Sequence, residues 1–327
     1  MKLVIAGGGL IVRDAAPYLS QWGWEVEALC VTPRGEERAR ELAKKCAKAA
    51  VYTDYARMLE EAEANVVYIA VPNHLHFDFA RQALEMGYHV ILEKPICSNI
   101  REAEALAKLA EEKGLLLFEA ITTLYQPNFA ILRRQLERIG EVKIVSCNFS
   151  QYSSRYDAFA AGGLPPVFDP AQSGGCLMDL NVYNLHWLVG LFGSPDAVRY
   201  KPNLHRGVDT SGMLTLEYPG FAAVSIAAKD CGAPCSYVIQ GTKGYLMQTM
   251  PANTCGPITL HLNSGKEERF HVPTWHRLEA EFTAFARMIR QNDRKGCKAM
   301  LDHSLLVCRL MTQARESAGI VFPADEL

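Results

Sequence analysis

The first 118 residues alternate between short apolar runs and helical segments, and this alternation limits the fold more than any other feature of the chain. Lys2–Ala6 is an apolar strand that runs into Gly7-Gly8-Gly9, with a helix following through Leu19. Trp24–Val31 is expected as a second strand, followed by a helix over Glu36–Lys48 and a short strand at Ala50–Tyr52. Thr53 or Asp54 caps a helix over Tyr55–Ala62, and an apolar strand follows at Val66–Val71. Next come a helix over His76–Met86 with Gly87 at its end, the strand run Val90-Ile91-Leu92, a helix over Asn99–Lys113, and a strand over Leu115–Phe118. Strands separated by helices of about ten residues or more predict a parallel, doubly wound sheet, because each crossover helix returns the chain to start the next strand in the same direction. A chain of 327 residues exceeds what a single core usually supports. The expectation is α/β throughout: a dinucleotide-binding domain over residues 1–120 and a second α/β domain over 121–327.

Within this frame the glycine turn acquires a chemical meaning. Gly7 permits the tight turn after the first strand. Gly9 lets the backbone of Gly9, Leu10 and Ile11 approach a pyrophosphate at the start of the helix. The third position of the usual glycine pattern is Val12, a larger residue than the close helix–strand contact prefers. An NAD site commonly has Asp or Glu at the end of strand two. Here that end reads Cys30-Val31-Thr32-Pro33-Arg34 and carries no acid. Thr32 and Arg34 are therefore expected near the ribose, with Arg34 facing a 2′-phosphate, and NADP is favoured over NAD.

The run Val90-Ile91-Leu92 ends in Glu93-Lys94-Pro95. An unbroken apolar run fits a strand buried on both faces, and ligands of open parallel sheets sit beyond the carboxyl ends of such strands. Lys94 is thus placed where a cofactor or substrate reacts, on backbone stiffened by Pro95. Further on, Ser173-Gly174-Gly175 precedes an expected helix over Leu177–Leu191. Asp179, Tyr183 and His186 recur there at helical spacing and predict one polar face of carboxylate, phenol and imidazole. Ser153–Pro170 reads as a long loop, from which Arg155 and Tyr156 are expected to reach a substrate. Alternating segments at 141–152, 212–218, 222–229 and 258–262 read as strands, 237–245 as strand, turn, strand, and 277–291 and 301–317 as helices.

Composition narrows the partners. A net charge of −2 gives no attraction to nucleic acid or to a membrane surface, and no 18-residue apolar span is present. The chain opens directly on a strand, so no leader is expected. Ten scattered cysteines, of which only Cys231 and Cys235 lie close together, read as reduced thiols of a cytoplasmic protein rather than as metal ligands.

The stretches Val71-Pro72-Asn73-His74-Leu75-His76, Glu93-Lys94-Pro95 and Gly174-Gly175-Cys176-Leu177-Met178-Asp179 occur in an order and spacing that resemble the Gfo/Idh/MocA oxidoreductases, the glucose–fructose oxidoreductase and inositol dehydrogenase family. The resemblance covers nearly the whole chain. It implies a Rossmann domain followed by a larger α/β domain whose open, mostly antiparallel sheet forms the contact of a homodimer or homotetramer. It implies a catalytic set of Lys94, Asp179 and Tyr183, with His186 left to bind substrate, and it puts Pro72, Asn73, His76 and Glu93 beside Lys94 in the cofactor site. Tyr at 183, where other members have His, looks like the dimeric dihydrodiol dehydrogenase and glucose–fructose oxidoreductase branch. Asn181 stands where that branch commonly has Gly, in a turn expected near the substrate. The implied activity is hydride transfer between a nicotinamide and a secondary alcohol or carbonyl of a sugar, polyol or cyclic diol.

Such an oxidation needs a base for the hydroxyl proton. A tyrosine with a reference pKa of about 10 requires roughly 4 kcal/mol to ionise at neutral pH, of which a neighbouring cation supplies about 1–3 pKa units. Lys94 and the charge of the oxidised nicotinamide are the two available cations. His186, at a reference of about 6.5, is the alternative base. The competing expectation is a non-catalytic relative that senses a nucleotide or sugar and binds a regulatory partner.

Overall fold

The computed structural model describes residues 1–46 and 49–326. They form two compact units: Met1–Ala120 with Leu278–Leu305, and Ile121–Arg277 with the chain from Leu306 onward.

The first unit holds a six-stranded parallel sheet. Its strands are β1 (Lys2–Ala6), β2 (Glu25–Cys30), β3 (Ala50–Tyr52), β4 (Val66–Ile69), β5 (His89–Glu93) and β6 (Leu117–Ala120), in the order β3-β2-β1-β4-β5-β6. β1, β4 and the centre of β5 are buried on both faces, as their unbroken apolar sequences require. The strand order reverses between β1 and β4, which places the crevice for a ligand at the carboxyl ends of those strands. The loops after β1, β2, β4 and β5 all open at that edge.

Several boundaries differ from expectation for local reasons. The first helix stops at Ala15 and continues as a 3₁₀ segment over Ala16–Trp22, because Pro17 has no N–H to continue the α-helical ladder. The helix after β2 spans Glu36–Lys44; the end expected at Lys48 lies outside the described residues. β6 begins at Leu117 rather than Leu115, because Gly114 turns left-handed and the Leu115 N–H is used on Ala110 O at 2.8 Å.

The expected division at residue 120 gives the second domain the whole of 121–327, whereas residues 278–305 belong to the first unit. The cause is aromatic packing. Phe282 and Phe285, on the helix Glu279–Arg290, are fully buried. Phe282 meets Tyr68 of β4 edge-on at 5.1 Å between centroids, and Phe285 meets Phe118 of β6 at 5.0 Å. Trp24 Nε1 donates to Phe282 O at 3.0 Å.

The second unit holds an eight-stranded sheet of β7 (Val142–Ser150), β8 (Ala197–His205), β9 (Val208–Tyr218), β10 (Phe221–Ala228), β11 (Ser236–Gly241), β12 (Gly244–Gln248), β13 (Ile258–Leu262) and β14 (Glu267–Phe270). The order is β14-β13-β12-β11-β7-β10-β9-β8. Every pairing is antiparallel except β7 with β10, so the sheet is open and mostly antiparallel. β8 and β14 have no counterpart in the sequence reading. They are the two edges, and they carry Pro202 and the charged Glu-Glu-Arg run, residues that disguise a strand while blunting a sheet edge. The helix Val182–Phe192 lies on one face, burying Leu185, Trp187 and Leu188 against Val145, Leu214 and Ile239. Ile144, Met213, Ile226 and Tyr245 are exposed large apolar side chains of β7, β9, β10 and β12. No helix among the described residues is long and apolar enough to cross a membrane.

Candidate active site

In the first unit the glycine turn is set by sterics. Gly7 has φ +124°, and a Cβ there would lie 2.3 Å from Ala70 O, where the turn crosses the end of β4. Gly9 is different. Its φ is −69°, and a Cβ would meet nothing within 4 Å. The protein itself does not need a glycine at this position, and the open space is what backbone approach to a bound pyrophosphate uses. Leu10 beside it is 69% exposed. Val12 is accommodated without exposure in the core. β2 ends at Cys30, and Thr32 leads into the 3₁₀ turn Pro33–Gly35, which carries an exposed Arg34 and no carboxylate. Gly7, Gly9, Thr32, Arg34, Pro72, Asn73, Glu93 and Lys94 therefore all lie at strand ends or in loops at the carboxyl edge of one sheet. These residues fit a nicotinamide dinucleotide.

The loop carrying Lys94 is tied down on each side. The Lys94–Pro95 peptide bond is cis. Glu93 Oε1 accepts from the Tyr68 hydroxyl at 2.6 Å, and the buried Glu119 accepts from Ile96 N at 2.9 Å. His76, expected to contact cofactor, is instead fully buried between two backbone carbonyls, Pro95 O at 2.9 Å from Nδ1 and Val71 O at 3.0 Å from Nε2. Each ring nitrogen thus faces a carbonyl, one from the loop after β4 and one from the loop after β5. Burial pushes the imidazole down to about 4, against the two carbonyls, which favour its cation. At neutral pH the ring is neutral and donates to one carbonyl.

In the second unit, Ser173-Gly174-Gly175 leads into one π-helical turn, Leu177–Asn181, and then the helix Val182–Phe192. π-turns of this kind concentrate at functional sites. Gly175 has φ +130°, and a Cβ there would sit 2.0 Å from Asp209 Oδ1. The Asp209 carboxylate fills that space and accepts from Leu177 N at 2.7 Å and from the Tyr200 hydroxyl at 2.9 Å. Complete burial nonetheless pushes its carboxyl up to about 6.

Along this otherwise buried stretch, Asp179 and Tyr183 are partly exposed, while His186 is 0% exposed. The expected three-residue polar face is therefore divided: carboxylate and phenol reach the surface, and the imidazole lies inside. The Tyr183 ring packs 6.0 Å from Phe149. Asp179 forms an ion pair with Lys229, a buried residue immediately after β10. Asn181 closes the π-helical turn and faces the sheet rather than solvent. It is fully buried, its Oδ1 accepts from the Ser225 hydroxyl of β10, and Asn184 and Tyr237 extend the network into β11. Its amide pins the helix to the sheet.

The expected loop over 153–170 contains a helix, Tyr156–Ala160, and a 3₁₀ turn, Pro166–Phe168. Arg206 holds it, donating to Gly163 O at 2.8 Å and lying 4.8 Å from the Phe159 ring centroid. Arg155 is exposed. Tyr156 is half-buried among Phe159 and Phe168, with its hydroxyl 3.1 Å from His205 Nδ1.

Lys229, Asp209 and Glu119 were absent from the sequence-based set. For Lys229 a signal existed, since a lysine closing an apolar strand is the pattern that marked Lys94. Asp209 and Glu119 lie inside strands with nothing local to distinguish them.

Residues 1–121 match the Gfo/Idh/MocA oxidoreductase family with its NAD-binding Rossmann fold, and residues 132–247 match the C-terminal domain of the same family. A scyllo-inositol 2-dehydrogenase (NADP+) of Bacillus subtilis is 34% identical over 304 residues, 92% of each chain. A trans-1,2-dihydrobenzene-1,2-diol dehydrogenase of mouse is 27% identical, covering 98% of each chain. Among solved structures, a 3-ketoreductase from Actinomadura kijaniata with NADP and TDP-benzene has the same fold at TM-score 0.84 and 22% identity, over 97% of each chain. A levoglucosan dehydrogenase with NADH and levoglucosan has it at TM-score 0.82 and 17% identity, over 98% and 97%. The chain belongs to the Gfo/Idh/MocA family and is an NAD(P)-dependent oxidoreductase.

Proposed function

We propose that this protein interconverts a secondary alcohol and its ketone on a polyol, sugar or cyclic diol, with NADP preferred, and that Lys94, Asp179 and Tyr183 are its catalytic set. The carrying observation is the selective exposure of Asp179 and Tyr183 on a helix whose other polar groups are buried. A nicotinamide dinucleotide held along the carboxyl edge of the parallel sheet would supply the hydride acceptor for oxidation and the hydride donor for reduction. Tyr183 takes the hydroxyl proton during oxidation and gives it back during reduction. Lys94, carried by the first unit, is proposed to supply the positive charge that such a proton transfer needs. Asp179 accepts a hydrogen bond from a substrate hydroxyl. His186 is enclosed, which supports Tyr183 over it as the proton shuttle. The scyllo-inositol and dihydrobenzenediol activities of the relatives support a substrate with neighbouring ring hydroxyls.

Turnover with NADP+ and NAD+ on scyllo-inositol, a trans-dihydrobenzenediol, levoglucosan and common aldoses tests the proposal. The expected result is turnover on at least one polyhydroxylated ring, faster with NADP+. Tight NADPH binding with no turnover on any of them would instead indicate a sensor. For assembly we propose that the exposed apolar residues Ile144, Met213 and Ile226 meet a second copy. Ile226→Glu should then lower the sedimenting mass, and an unchanged mass would move the contact elsewhere. The ten free thiols support a reducing, cytoplasmic location, which alkylation of the freshly isolated protein checks by the number of thiols modified.

A further inference from the structure

Lys229 is 4% exposed, and its backbone N–H donates to Thr210 O at 2.8 Å. It follows β10, a strand paired on both sides by β7 and β9, so its position is fixed by the sheet. Its ammonium pairs with Asp179 Oδ2 and sits 5.5 Å from the centroid of Phe168. A lysine taken out of water is costly unless paired, and here the partner is a carboxylate that remains 31% exposed. The pair thus has one anchored end and one end reaching the surface.

We infer that Lys229 is a positioning residue for the reaction, holding the Asp179 carboxylate in the single orientation in which it receives a substrate hydroxyl. The inference rests on the substrate-binding role proposed above for Asp179. A carboxylate accepts at two oxygens with about four lone-pair sites, so the ion pair leaves capacity for a hydroxyl donor. Tethering one oxygen removes rotamer freedom that binding would otherwise have to remove, and this is how preorganisation raises affinity. Asp209 fixes the backbone of the same segment at Leu177 N, so main chain and side chain of the Asp179 turn are held by separate buried charges.

The experiment compares Lys229→Met, Lys229→Arg, Asp179→Asn and the double variant Lys229→Met/Asp179→Asn. Each is assayed on whichever of scyllo-inositol, trans-dihydrobenzenediol or levoglucosan the parent turns over fastest. Lys229→Met should lower kcat/KM by about 10–100-fold, mostly through KM, the loss that goes with a group displaced by about an ångström. Lys229→Arg should recover most of it, and NADPH affinity should not change. In the Asp179→Asn background, Lys229→Met should cost less than about threefold more, as expected for two residues acting as one unit. A full, independent loss in the double variant overturns the inference, as does a lowered Tm with kcat/KM intact. Where Lys229→Met fails to fold, the arginine variant and the charge-free double variant carry the same comparison. Normal kcat/KM for Asp179→Asn would refute the role of Asp179, a separate failure. A crystal structure of a Lys229 variant reads positioning directly: an Asp179 carboxylate that has not moved overturns the inference whatever the turnover.

Discussion

The two units hold their functional groups by different means. In the parallel-sheet unit the work is done largely by backbone: a left-handed Gly7 against Ala70 O, an open Cβ position at Gly9, and a Lys94–Pro95 loop whose carbonyl meets a buried histidine. In the second unit it is done by buried polar side chains: Asp209 against Leu177 N, Asn181 against Ser225, and Lys229 against Asp179. Backbone devices need particular residues at particular places, glycine where φ is positive or proline after a strand, and these can be read in a sequence. Side-chain networks join ordinary residues across long stretches of chain, 50 residues between Asp179 and Lys229 and 44 between Asn181 and Ser225, and these leave no local mark.

The most severe way to break this comparison is to remove one functional group from each unit. Lys94→Met deletes the cation carried by the first, and Tyr183→Phe deletes the proposed proton carrier of the second while keeping its ring against Phe149. Each should lower kcat/KM by about 10²–10⁴, the range for general acid–base groups, with the melting transition unchanged. NADPH binding should survive Tyr183→Phe. Near-normal turnover by either purified variant would strip its unit of a chemical role and leave only binding there.

How much was legible follows the same division. The parallel, doubly wound sheet and the edge holding Gly7, Arg34 and Lys94 came from apolar runs punctuated by glycine and proline. The helix bearing Asp179 and Tyr183 was also visible, but its π-turn was not, because Leu-Met-Asp-Leu-Asn has no residue that demands one. Regular helical spacing grouped His186 with the other two, whereas the fold encloses it. The membership of 278–305 in the first unit was hidden because Phe282 and Phe285 look like any amphipathic helix until their aromatic partners on β4 and β6 are known. His76 was found by motif and misjudged in role, since only the folded loops show both ring nitrogens facing carbonyls.

A milder test uses the opposite titrations of the two units. His76 falls from 6.5 to about 4 on burial, so the unfolded chain takes up its proton first. Its contribution to stability is present above about pH 6.5 and is lost as pH falls through about 4, by up to about 3 kcal/mol. Asp209 rises from 3.8 to about 6, so the folded protein protonates first. Its contribution is present below about pH 4 and is lost as pH rises through about 6, again by up to about 3 kcal/mol. Denaturant unfolding between pH 4 and pH 7 should show His76→Gln gaining on the parent as pH falls and Asp209→Asn gaining as pH rises. Difference curves that run level, or that slope the same way for both variants, would mean that these buried groups do not set the pH response of their units.

The smallest expected effect concerns cofactor choice, and it sharpens the claim that the first unit works through backbone. If the glycine turn meets the pyrophosphate that NAD and NADP share, discrimination must come from a side chain. β2 ends without a carboxylate, and the exposed Arg34 on the turn that follows is the charged group we propose for a 2′-phosphate. Arg34→Ala should weaken NADPH by about 1.5–3 kcal/mol, the value of a hydrogen bond to a charged group, and should leave NADH within about twofold. Gly9→Ala provides the contrast. Its Cβ meets no protein atom, so stability should hold, yet both cofactors should weaken together because the added methyl occupies the space their shared pyrophosphate approaches. Calorimetric titration of both variants with both cofactors separates the cases. Equal weakening by Arg34→Ala, or selective weakening by Gly9→Ala, would show that backbone and side chain have exchanged the roles assigned to them here.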